Sequence, residues 1–179
     1  ERRLDYLKDT YGVQTATDIK AAAAESEMIF IAVRPQDAQG VLEAIRDNKK
    51  KEGLIISICA GITIENMAEI LGANARIARV MPNVLIDAKH GYSGVCTSQQ
   101  VTTEDKKDIE AMFAALGQTL FIQESQFDAF TAFSCAGPAY IMHCIEGMID
   151  AGVQSGFSRF DSRNMVLENF IGCGLLLQE

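Results

Sequence analysis

The chain has 179 residues, with 24 acidic against 16 basic side chains and a formal net charge of −8, a length that admits one large domain or one medium domain with a helical extension. Its 48% hydrophobic and 22% charged residues are the proportions of a packed protein and exclude extended disorder. The acidic surplus excludes a nucleic-acid backbone binder, because no cationic excess exists to displace counterions.

Residues 1–7 read as helix with no capping residue before them, the abrupt start expected of a truncated chain. Residues 28–33 form a continuous apolar run stopped by Arg34 and Pro35, the pattern of a strand buried on both faces. A helix over 36–48 follows, with Val41, Leu42 and Ile45 at helical spacing; the lysines at 49, 50 and 51, followed by Glu52, read as its solvated end. Residues 54–59 are a second buried strand, closed by Ala60 and Gly61, and Thr63 offers an N-cap to a helix through Leu71. Residues 76–80, 92–97 and 119–122 read as further strands, with a helix over 103–116. Strands separated by helices of this length predict a parallel sheet in an α/β layer.

The pattern changes near Glu124. No strand is expected from 126 onward, and three helices are predicted over 127–133, 138–153 and 159–179, the last with an approximate capping box at Ser158 and Asp161. Ile141, Met142, Cys144, Ile145, Met148 and Ile149, and then Met165, Val166, Phe170, Ile171 and Leu175, make these helices apolar on more than one face. Such helices must be buried on nearly all sides, and a partner subunit is the expected cover.

Ligands of an open α/β sheet bind beyond the carboxyl ends of its strands. At the first such end, Ala32, Val33, Arg34 and Pro35 place a proline in the first helical turn, where its missing N–H costs nothing. At the second, Cys59, Ala60 and Gly61 are small enough to let an extended ligand approach the backbone. Proline and glycine also simply end strands, so both readings stand. Asn83, after Met81 and Pro82, can hydrogen-bond a cofactor amide or serve ordinary turn chemistry. Arg2 and Arg3 would fall where a 2′-phosphate is read in NADP-dependent folds, though exposed helix arginines are the plainer reading. Gly137 and Pro138 read as an N-cap and N1 pair opening the long helix, with free N–H groups from Ala139 onward that attract anionic or polar ligand groups.

The two histidines, His90 and His143, stand far apart, so no metal is expected. Five cysteines without C-x-x-C spacing suit reduced thiols in the cytoplasm. No signal peptide appears in these residues, and no apolar run of membrane-spanning length is expected.

The run 133–140 (Phe-Ser-Cys-Ala-Gly-Pro-Ala-Tyr) resembles the SGSGPAY segment of pyrroline-5-carboxylate reductases, and Met81, Pro82 and Asn83 resemble their MPN. Residues 32–36 are similar to their AVKPQ with Arg34 in place of lysine. Residues 57–63 resemble their strand-loop ending in AGI/VT, and Gly152, Val153 and Gly156 their GV-x-x-G turn. The resemblance implies a Rossmann-like parallel sheet lacking its N-terminal unit (1–124, an incomplete dinucleotide-binding domain), followed by an all-α dimerisation and substrate domain, itself truncated (125–179). It implies NAD(P)H-dependent reduction of 1-pyrroline-5-carboxylate to proline, with NADP or NAD as cofactor and a homodimer or higher assembly. Cofactor contacts are then expected at Ala32, Val33, Arg34, Pro35, Cys59, Ala60, Gly61 and Asn83, and substrate contacts at Gly137, Pro138 and Ala139. No side-chain nucleophile is expected, because hydride transfer in this family rests on positioning. The chain departs from the family pattern by lacking the N-terminal glycine loop and the SPGGTT segment, and by carrying Cys135 and Ala136 for glycine and serine. Those two exchanges motivate the alternative of a non-catalytic dimeric relative. A β-hydroxyacid-type dehydrogenase would place a lysine in the helix over 138–153, which has none.

Overall fold

The computed structural model describes residues 2–178. Backbone contacts divide them into two units, one through Asp128 and one from Ala129.

In the first unit α1 (Arg2–Tyr11) and α2 (Ile19–Glu25) precede a five-stranded sheet. Its strands are β1 (Met28–Ile31), β2 (Leu54–Ser57), β3 (Arg76–Pro82), β4 (Gly91–Thr97) and β5 (Gly117–Phe121), adjacent in that order. Helices α3 (Pro35–Arg46), α4 (Ile64–Leu71) and α5 (Thr103–Ala114) fill the connections. Strands β1, β2 and β3 run parallel, as do β4 and β5. Strand β4, however, pairs antiparallel with β3, Val80 facing Val95, which corrects the expectation of an all-parallel sheet. The physical reason is length: between these strands lies a 3-10 turn over Val84–Ala88, and parallel pairing needs a crossover of roughly a dozen residues or more.

Alternation along the strands makes two cores. Ile31, Ile55 and Ile77 face α2, α3 and α4 with Leu42, Ile45, Met67 and Leu71. Leu54, Ile56, Ala78 and Val80 face α5 with Ile109 and Phe113. Each such side chain, fully buried, contributes about 1.5–3 kcal/mol. Helix α2, absent from the sequence reading, is nucleated by Asp18, whose carboxylate accepts from the N–H groups of Lys20 and Ala21 at 2.9 and 3.3 Å.

Asp105 has two tasks. It closes a capping box with Thr102 at the start of α5, and both its oxygens accept from Arg76 Nη1 at 3.0 and 3.1 Å. Asp105→Ala removes the cap and leaves a largely buried guanidinium without its carboxylate, so urea unfolding should show a loss of about 3 kcal/mol. A loss below about 1 kcal/mol would mean the pair contributes no more than an exposed one.

The second unit begins within a continuous helical path. Helix α6 (Phe127–Phe130) passes through a π turn, Thr131–Cys135, into α7 (Gly137–Gln154), and α8 (Arg159–Leu176) returns along it. Ser158 caps α8 as expected, its hydroxyl accepting from Asp161 N at 3.0 Å. Helices α7 and α8 meet where Gly152 lies against Ser162; a Cβ on Gly152 would stand 2.6 Å from Ser162 Oγ. Arg159 donates to both Glu146 and Asp150 of α7, at 2.7 and 2.8 Å. Ile149 and Val166 are buried between them, while Ile141, Met142, Phe160, Ile171, Leu175 and Leu176 are exposed in the single chain.

Candidate functional site

The carboxyl ends of β1 and β2 lie side by side. Ile58 N donates to Ile31 O at 3.1 Å, and the Cys59 thiol reaches the carbonyls of Val33 and Ile31 at 3.2 and 3.6 Å. Ala32, Val33, Cys59, Ala60 and Gly61 are thereby brought together. Both strands stop two residues short of their predicted ends, at Ile31 and Ser57, because this thiol contact replaces the regular ladder. Arg34 is extended (φ −64°, ψ 148°) and precedes Pro35 at the first turn of α3, the conformation a following proline imposes. Its guanidinium extends into solvent and pairs with Asp37 at 2.9 Å. Gly61 has φ +76° with nothing within 4 Å of the Cβ it lacks, so glycine is required there for the backbone angle and not for space.

Asn83 follows β3 at the same carboxyl edge of the parallel strands. It is buried, and its Oδ1 accepts from Leu85 N and Tyr92 N, each at 3.2 Å. Of the two readings left open in the sequence, turn chemistry accounts for that oxygen.

Gly137, Pro138 and Ala139 belong to the second unit. Here the sequence reading needs correction. The residue before Gly137, Ala136, is already in right-handed helical conformation, with Ala136 N donating to Thr131 O at 3.1 Å and Ala139 N to Ala136 O at 3.0 Å. Ala139 therefore has a partner for its N–H, and the segment is a passage through a π turn. The extra residue of such a turn lets a proline follow without a break. Pro138 is buried, Gly137 half-buried and Ala139 exposed.

Arg79, a lone charge in the buried strand β3, and Glu124, where the sequence pattern changes, meet, a pairing sequence reasoning missed. Arg79 Nη1 donates to Glu124 Oε1 at 2.9 Å, and the guanidinium lies 4.1 Å from the centroid of the Phe127 ring. The signal was the lone charge itself, since a buried arginine requires an acidic partner. Near this pair burial, with the Glu124 charge behind it, pushes the Cys96 thiol up to about 12, so it stays protonated at neutral pH. Cys96 and Glu124 also line a groove of about 570 Å³ with Ile64, Gln99, Lys106 and Phe121. Among the described residues no cluster of His, Cys, Asp and Glu could hold a metal ion, and no helix is long and apolar enough to cross a membrane.

Residues 124–179 match the family described as pyrroline-5-carboxylate reductase dimerisation, and residues 1–61 match that described as NADP oxidoreductase, coenzyme F420-dependent. The pyrroline-5-carboxylate reductase of Aquifex aeolicus is 36% identical over 173 residues, which cover 97% of this chain and 64% of that protein. That of Corynebacterium melassecola is 32% identical over 182 residues, covering 100% and 67%. The crystal structure of Plasmodium falciparum pyrroline carboxylate reductase with NADP bound is similar at a TM-score of 0.85 and 34% identity, over 92% of this chain and 62% of that one. The chain thus spans about two thirds of the length of the curated relatives it matches.

Proposed function

Because the chain belongs to the pyrroline-5-carboxylate reductase family, we propose that its full-length gene product reduces 1-pyrroline-5-carboxylate to proline with NADPH or NADH. The carrying observation is the crevice at the carboxyl ends of β1 and β2, walled by small residues and closed by the Cys59 thiol on the β1 backbone. What supports a dinucleotide there is that Ala32, Ala60 and Gly61 leave the backbone accessible and that Arg34 offers a cation at the rim. When bound, the cofactor supplies the hydride that adds to the carbon of the C=N bond, while the nitrogen takes a proton. The chain's own residues bind and orient. Ala32, Val33, Arg34, Pro35, Cys59, Ala60, Gly61 and Asn83 would hold the dinucleotide, Asn83 through the part of its amide that the turn after β3 does not use. Gly137, Pro138 and Ala139 would border the substrate.

The domain roles follow the same reading, with residues 1–124 binding the cofactor and residues 125–179 serving dimerisation and substrate. The exposed apolar side chains of α7 and α8 would be covered by a second copy, since soluble proteins rarely leave such contiguous patches open. Five free cysteines suit the reducing cytoplasm. The test uses the purified full-length gene product. NADPH should be consumed in proportion to proline formed from pyrroline-5-carboxylate, and sedimentation should give at least twice the monomer mass. Absence of turnover in a folded dimer would refute the catalytic reading and favour a non-catalytic relative.

A further inference from the structure

The crevice loop between β2 and α4 is tethered at both ends, each time to a segment distant in sequence. At its start the Cys59 thiol rests on the carbonyls of Val33 and Ile31. At its finish Ile64 N, the first amide of α4, donates to Glu124 Oε1 at 2.9 Å, across sixty positions of sequence. Thr63 caps α4 at Asn66 N, so Glu124 serves a separate early amide, one of the four that a helix start leaves open. Between these ties Ala60 and Gly61 are exposed. The same Glu124 oxygen accepts from Arg79 Nη1. Arg79 is only 6% exposed and lies against the Phe127 ring, so the carboxylate has a fixed seat.

We propose that Arg79 and Glu124 are positioning residues for the cofactor crevice, a latch through which the 124–127 segment sets where the 59–63 loop stands. Neither side chain touches the cofactor; Glu124 acts through Ile64 N, and Arg79 acts through Glu124. The inference rests on the proposed cofactor crevice and assigns it a control point on the far side of β3.

The experiment measures two quantities on the full-length gene product, the Kd for NADPH and the alkylation rate of Cys59 mapped by mass spectrometry. Glu124→Ala frees Ile64 N and should raise the Kd about tenfold, a coupling of ordinary size between linked sites. It should also raise Cys59 labelling by a similar factor. Glu124→Gln keeps an acceptor for Ile64 and should recover most of both effects. Arg79→Lys keeps the charge but loses the planar fork; it should give an intermediate change and serves if Glu124→Ala does not fold. Lowered thermal stability with unchanged Kd and unchanged Cys59 labelling in the folded variants would overturn the latch. Wild-type protein that fails to bind NADPH would overturn the crevice reading itself, and the latch with it.

Discussion

Gly117→Ala should cost at least about 4 kcal/mol, a large share of the stability of an ordinary protein. Two independent causes act at this position. Gly117 has φ +140°, a region that is essentially closed to residues with a Cβ. It also faces Gly91 in the β4–β5 register, and an added Cβ would overlap the Gly91 carbonyl oxygen and stand 2.5 Å from Gly91 N. Those atoms are backbone and cannot swing aside. Gly91 in turn is closed off by Ile86 of the preceding 3-10 turn and donates to Leu116 O at 2.9 Å, so the clash has no direction in which to relax. Urea unfolding of the variant measures it; a midpoint within about 1 kcal/mol of wild type would show that the two strands can part locally.

The second large effect concerns binding alone. Ala60→Asp should weaken NADPH binding by about a hundredfold while leaving the melting temperature within a few degrees. Ala60 is exposed between buried Cys59 and Gly61, so a longer side chain meets solvent and disturbs no packing. On the proposed reading, a carboxylate there would face the phosphates of a dinucleotide lying on this loop. At about 5 Å and an effective dielectric near 20 the repulsion is about 3 kcal/mol, equivalent to that loss of affinity. Ala60→Ser, with no charge, should bind within about threefold of wild type. Equal affinities of the Asp and Ser variants would remove the dinucleotide from this loop.

The fold was legible wherever a local pattern decides it. Buried runs such as 54–57 and caps such as Thr63 and Ser158 state their structure in a few adjacent residues. Asp18 carried an equally local signal for α2, overlooked because the alanines that follow give no apolar periodicity. The direction of β4 was not local: it depends on how little chain separates it from β3, and a 3-10 turn has no strong sequence mark. The 131–135 segment misled for a related reason. Glycine before proline ordinarily opens a helix, and whether a helical path already runs into it is decided by the residues upstream. At the crevice the small residues announced themselves, whereas the pairing of Arg79 with Glu124 spans strands β4 and β5 and follows only once the sheet is assembled.

The reversal of β4 has a consequence for how the protein tolerates change. Because β4 runs against the first three strands, its carboxyl end at Thr97 and the 98–102 connection into α5 lie toward the edge away from Ala60 and Gly61. Insertions or attached labels in that connection would meet only the demands of folding, chiefly the Thr102 cap and the Asp105 ion pair. If the proposed crevice holds the cofactor, that connection answers to stability alone, which makes it the natural place for a tag, a fused domain or evolutionary drift in length.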